Sequence, residues 1–159
     1  MQRCSPEILE FIDDMLCREL EMRKTSRISS SIRQAGFPRL KDFSTFNWNE
    51  VTMPEQMDRN RMLELDFMNR KETLVFYGVC GSGKTFLATE LGLRACRKGL
   101  KVKFLTLSDL AVQLSKAVTN GTVEKTLAAI SRFDLLIIDE WGYTQLDRNS
   151  AQYVCVQSH

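Results

Sequence analysis

Residues 78–85 read Gly-Val-Cys-Gly-Ser-Gly-Lys-Thr. This fits G-x-x-x-x-G-K-[ST], a spacing that ties a chain to one local structure. The glycines let successive backbone N–H groups turn inward around an anion without Cβ clashes. The helix that follows points its N-terminus at the same anion. Such a loop has to leave a buried strand and open a helix, which commits the chain to an α/β architecture. Its neighbours comply. Leu74 to Tyr77 is a short apolar run, and Lys84 to Lys98 reads as a helix stopped by Gly99. In such a loop the lysine, here Lys84, reaches the β- and γ-phosphates of a nucleotide, and the Thr85 hydroxyl ligates Mg²⁺. The candidate ATP-binding set is therefore Gly78, Val79, Cys80, Gly81, Ser82, Gly83, Lys84 and Thr85, with Phe86 beside it.

A second acidic element lies 55 positions beyond Lys84. Leu135-Leu136-Ile137-Ile138 is apolar at every position, as a central parallel strand is, and ends in Asp139-Glu140. Its C-terminal edge is where open α/β sheets bind ligands. Asp139 is the candidate Mg²⁺ residue, with Thr85, and Glu140 the candidate catalytic base polarising the attacking water. A glutamate directly after the aspartate favours an ATPase of the additional-strand class. No N-K-x-D guanine-reading motif occurs, which favours ATP over GTP.

Composition excludes several other chemistries. The only histidine is His159, the last of 159 residues, so His-based nucleophile activation and His-based metal sites are out of reach. The five cysteines are odd in number, irregularly spaced and without a C-x-x-C, which fits a reducing cytoplasm better than a disulfide framework. No apolar run approaches the roughly 18 residues of a membrane span. Glu7, Glu10, Asp13 and Asp14 fall where a secretory signal would be apolar. A net charge of +2 leaves room for a local basic face.

The chain divides in character near residue 50. Residues 1–50 form an N-terminal helical segment and linker, and 51–159 the nucleotide-binding part. Ser5-Pro6 reads as a helix start, with Ile8, Phe11, Ile12, Met15 and Leu16 on one face. That face serves either packing or a partner. A second helix is expected to end at Phe37-Pro38, within a segment (Met22 to Lys41) that has no acidic residue. Its Arg23, Lys24, Arg27 and Arg33 are the candidate DNA contacts, through phosphates; a solvated helix face or a subunit contact is the alternative. Arg94, Arg97, Lys98, Lys101 and Lys103 form another basic cluster, read as an exposed helix end and strand edge. Thr52 and Glu55 suggest a capping box for a helix to about Met68. Lys101 to Thr106 reads as a strand, Ser108 as the cap of the next helix, and Asn120-Gly121 as a break before a helix to about Arg132. Phe43, Phe46 and Trp48 either shape an adenine pocket or pack in the core. Cys80 is either a redox-sensitive thiol or simply a small loop residue.

Gly78 to Leu93, Ala95 to Gly99, Val102 to Leu110, Asp134 to Tyr143 and Leu146-Asp147-Arg148 together resemble the IstB-like ATPases, and Arg33 to Phe46 is similar too. Leucine is usual in that family where this chain has Trp141. The resemblance implies an AAA+ P-loop NTPase: a three-layer αβα parallel sheet preceded by a small helical segment. It also implies a homo-oligomeric, cytoplasmic helper of bacterial transposition. Such a helper assembles on duplex DNA with ATP and Mg²⁺ and delivers target DNA to a partner transposase. DnaC-type helicase loaders, whose partner is a replicative helicase, are the related alternative; an inactive nucleotide-binding fragment is another. The class has strand order 5-1-4-3-2, and the three strands identified here are the first, second and third. The fourth is expected after residue 159, which leaves the sheet incomplete with two unpaired edges facing each other. The expectation is therefore a truncated or frameshifted copy, or one piece of a longer product.

Overall fold

The computed structural model describes residues 6–38, 46–48, 51–53, 57–141 and 152–158. The expectations placed on Ser5, Arg39, Lys41, Phe43, Glu55, Gly142 to Asp147 and Arg148 lie outside these residues.

Helix α1 (Pro6–Ala35) is one continuous helix of 30 residues, about 45 Å long, where two were expected. No glycine or proline interrupts it between Pro6 and Ala35. Asp14–Arg18 and Glu19–Arg23 pair one turn apart. Gly36, at φ 79°, ends it. The C-terminal third lies on the domain: Ala35 is fully buried, and Ile32 and Phe37 pack against the core. The apolar face of the N-terminal half is exposed among the described residues, Phe11 to 69% and Met15 to 53%.

Helix α2 (Arg59–Leu63) begins where Asp58 accepts a hydrogen bond from the Arg61 N–H at 2.8 Å. The helix expected after Thr52 thus starts later, on an aspartate cap, and residues 51–53 are irregular. A turn at Leu65 (φ 66°) separates α2 from α3 (Asp66–Asn69).

Strand β1 (Thr73–Gly78), α4 (Lys84–Arg97), β2 (Val102–Thr106), α5 (Leu107–Thr119), α6 (Val123–Ile130) and β3 (Leu135–Trp141) follow in the expected alternation. The cap of α5 is Thr106, not Ser108. Its hydroxyl oxygen accepts from the Asp109 N–H at 3.0 Å and its O–H donates to the Asp109 carboxylate at 2.8 Å.

Strand β4 (Gln152–Ser158) was not expected. The sheet order is β1-β4-β3-β2. Strands β2 and β3 pair in parallel, whereas β4 runs antiparallel to both β1 and β3. It fills the gap that the sequence pattern left open, so the facing edges of β1 and β3 are both paired and the sheet is mixed. The direction follows from the connection. Only residues 142–151 separate β3 from β4, and a parallel entry would need a crossover of a dozen residues or more. Val156 sits at the centre of the core with no exposed surface, opposite Leu74 on one side and Ile137 on the other.

The layers are unequal. On one face α4, the α2–α3 turn and the end of α1 bury Phe67, Leu91, Leu135 and Ile137. On the other, α5 and α6 cover Leu105, Leu136 and Ile138 through Leu107, Leu110 and Ile130. Gly92 permits the close approach of α4. A Cβ there would meet the Phe37 ring at 2.5 Å and the Ile137 Cδ1 at 2.9 Å. Among the described residues no helix is long and apolar enough to cross a membrane.

Candidate nucleotide site

The loop leaves β1 at Gly78 and enters α4 at Lys84. Three of its glycines have positive φ: Gly78 at 153°, Gly81 at 81° and Gly83 at 83°. Gly83 is the N-cap of α4 and supplies no side-chain cap, so no side chain competes for the first N–H groups of this 14-residue helix. A Cβ on Gly81 would meet nothing within 4 Å, which leaves that side of the loop open.

Lys84 is 8% exposed. Its ammonium donates to the Gly78 carbonyl at 2.9 Å, the Val79 carbonyl at 2.7 Å and the Ser82 hydroxyl at 3.2 Å. The charge is thereby held inside the curve of the loop. Val79 and Cys80 are exposed at its crest. A cavity of about 360 Å³ lies beside the loop, lined by Phe46, Val51, Thr52, Phe76, Tyr77 and Lys84 among others. Val51 and Thr52 were not expected here, since Thr52 read as a helix cap, and no local pattern marks them as cavity residues. Phe46 stacks on Phe86 with ring centroids 5.6 Å apart and meets Trp48 edge-on at 5.0 Å. The Arg59 guanidinium lies 4.1 Å from the Trp48 ring centre. Phe46 therefore both lines the cavity and packs, and Phe86 faces an aromatic cluster.

Asp139 is brought to the loop through β4, which pairs antiparallel with both β1 and β3, so that β3 runs in the direction of β1 and ends at the same edge of the sheet. The Thr85 hydroxyl donates to its Oδ2 at 2.9 Å, across 54 positions of sequence. Its Oδ1 accepts from the Glu140 N–H at 2.8 Å. The pairing of β3 with β4 shifts register between Ile138 and Trp141, so Asp139 and Glu140 occupy a bulge. Glu140 takes φ 60°, a left-handed conformation costing a non-glycine residue about 1–2 kcal/mol, and is exposed. The bulge turns the second carboxylate out of the alternation that would otherwise send it to the face opposite Asp139.

The donor set suits a hard divalent cation: a hydroxyl and a carboxylate already in contact, beside an open loop of backbone N–H groups. Among the described residues no group of three or more His, Cys, Asp or Glu is gathered that could hold a metal by itself. A cation here would thus share its coordination with phosphate and water. The candidate DNA residues lie elsewhere. Arg23, Lys24 and Arg27 line a groove at the far end of α4, and Arg33 is outside that lining.

The sequence profile of the family described as "IstB-like ATP binding protein" matches residues 3–156. The chain is 36% identical over 145 residues to a Geobacillus stearothermophilus protein named as the putative ATP-binding protein of insertion sequence IS5376, covering 91% of this chain and 58% of the relative. It is 31% identical over 134 residues to the protein so named for IS232 in Bacillus thuringiensis subsp. berliner, covering 84% and 54%. For that of IS21 in Pseudomonas aeruginosa the identity is 33% over 145 residues, with 89% and 54% covered. The chain thus spans a little over half the length of these relatives. With the loop, its lysine and the acidic strand assembled on one sheet edge, the conclusion is direct: the chain belongs to the IstB-like ATP-binding protein family.

Proposed function

We propose that this chain binds ATP with Mg²⁺ at the Gly78–Thr85 loop and acts as a transposition helper. In this reading it assembles with further copies on duplex DNA in the cytoplasm and delivers target DNA to a partner transposase. The observation that carries the nucleotide part is the Thr85–Asp139 contact of 2.9 Å, which joins the phosphate loop to the acidic strand. The names of the relatives support the transposition context.

The roles divide among the residues as follows. Backbone N–H groups of residues 79–85 bind phosphate oxygens, and Lys84 exchanges its loop carbonyls for them. Thr85 and Asp139 would hold Mg²⁺, which when bound neutralises phosphate charge. Glu140 orients and polarises the attacking water, with its backbone fixed by the bond to Asp139. Residues 51–159 carry the nucleotide site. Residues 1–50 carry contacts to partners, although the end of α1 shares the same core.

A thermal melt with and without Mg-ATP tests the reading. Ligand at about 100 times Kd stabilises the fold by roughly 2.7 kcal/mol. For a domain of this size that is a shift on the order of 5–10 °C. Lys84→Ala abolishes the shift. No shift in the unaltered chain overturns the assignment.

A further inference from the structure

The two basic clusters that are separate in sequence meet in space. The middle of α1 lies across the C-terminus of α4 and the start of β2, enclosing a groove of about 860 Å³. Arg23, Lys24 and Arg27 line one wall, and Arg97, Lys98 and Lys101 the other. Among the described residues no carboxylate side chain lines it. Leu20, Ile28, Val102 and Phe133 add apolar surface to the lining, Leu20 exposed and Val102 buried. Ser30, Ser31 and Gln34 add hydrogen-bonding groups along α1.

Part of this charge is structurally engaged. Arg23 pairs with Glu19 at 2.6 Å, Arg97 lies 3.9 Å from Glu90, and Lys98 donates to the Glu64 carbonyl. Lys24, Arg27 and Lys101 are exposed and take part in no ion pair among the described residues. Six cations, from α1, the end of α4 and the turn after it, exceed what the macrodipole of one helix end attracts.

We infer that this groove is a docking surface for the phosphate backbone of duplex DNA, separate from the nucleotide loop. It rests on the reading that the chain works on DNA, and adds the place and the consequence. The charges are spread over two walls, half are guanidinium groups and the neighbours are hydroxyl and amide groups. This is the composition that positions a protein on successive phosphates without reading bases. The groove lies at the C-terminus of α4 and the loop at its N-terminus, about 20 Å apart along the helix. The groove side chains therefore take no part in the nucleotide loop, and their contact with DNA can be read apart from nucleotide binding.

The test is binding of a short mixed-sequence duplex to the full chain, without nucleotide, across a salt series. Three to six phosphate contacts give a slope of log K against log salt of roughly −3 to −5. Lys24→Ala, Arg27→Ala and Lys101→Ala combined reduce its magnitude by about 2–3. A control removing Lys116, Lys125 and Arg132, on the α5–α6 side, leaves it unchanged. The groove variant keeps its Mg-ATP melting shift, so loss of the slope is distinguishable from failure of the nucleotide site. An unchanged slope, an equal fall in the control, or equally tight binding of polyglutamate in place of DNA overturns the proposal; the last result would assign the groove to an acidic protein.

Discussion

The two ends of the strands are built from different materials. At the C-terminal edge the binding surface is backbone: N–H groups exposed by glycines in left-handed conformations, with one lysine folded into them. At the opposite edge it is side chain: long cations on α1, at the end of α4 and in the turn that leads to β2, beside apolar side chains. The first construction fixes positions to fractions of an ångström and suits one compact anion. The second tolerates displacement and suits a repeating polyanion. A backbone site fails when a single methyl is added, whereas a side-chain site weakens in steps.

The cysteines sample both edges. Cys80 is exposed at the crest of the loop, and Cys96 is fully buried near the end of α4. Burial pushes the Cys96 thiol above its usual range, with Arg97 pulling weakly the other way. Alkylation followed by peptide mass spectrometry should label Cys80 at least on the order of 100-fold faster than Cys96, which reacts only through opening of the fold. Mg-ATP should protect Cys80 and leave Cys96 unchanged. Equal rates would mean that the α4 end is not packed, and the contrast between the edges would fall.

Gly83→Ala is the next test. The methyl would enter a site at φ 83° and lie 2.6 Å from the Phe46 ring. Strain and crowding together cost about 2–3 kcal/mol, a fall of about 5–10 °C in Tm. The triple groove variant, built only from exposed side chains, should melt within about 2 °C of the unaltered chain. A stable Gly83→Ala protein would show that the loop is not held in the conformation described.

These contrasts also explain what was legible in the sequence. The nucleotide loop, β1, α4 and Asp139 could be read because each depends on local residue types at a fixed spacing. The continuity of α1 was hidden because its N-terminal half carries an apolar stripe and its C-terminal half a basic run, a pattern that two separate helices would share. Only the absence of an interrupting glycine or proline joins them. Strand β4 was hidden for a different reason. Gln-Tyr-Val-Cys-Val-Gln-Ser has the composition of a central strand, but its partners are a register opposite Thr73–Gly78 and another opposite Leu135–Trp141. That assignment comes from closing two sheet edges at once, which no local pattern records. The groove was hidden likewise, since Arg27 and Lys101 meet only through the crossing of α1 over β2.

Gly92→Ala probes the rigid rod between the edges. Alanine favours the helix by about 1 kcal/mol, yet its methyl would press on Phe37 and Ile137. Crowding wins, with a net loss of about 1–2 kcal/mol and a Tm lower by about 2–6 °C. A rise in Tm would mean that Phe37 does not seat against α4, and that α1 is free to move relative to the sheet.

The smallest effect is expected at the α2–α3 turn, which Lys98 ties to the end of α4 by donating to the Glu64 carbonyl. The Arg61 guanidinium donates to one Asp66 oxygen at 2.7 and 3.1 Å, and Arg70 lies 3.7 Å from it. The hydrogen bond from Arg61 holds the Asp66 carboxyl below its usual range, against a smaller opposing push from burial. A lowered folded-state pKa means that the contribution is present above the ordinary carboxylate range and disappears as pH falls through the folded value. Asp66→Asn should therefore lower Tm slightly at neutral pH, and the gap from the unaltered chain should close toward acid pH. Loosening this turn also frees Lys98, one of six groove cations, so the salt slope for duplex binding should change by less than about 1. A larger change would show that the side-chain edge depends on positioning as closely as the backbone edge does, and the distinction between the two constructions would have to be given up.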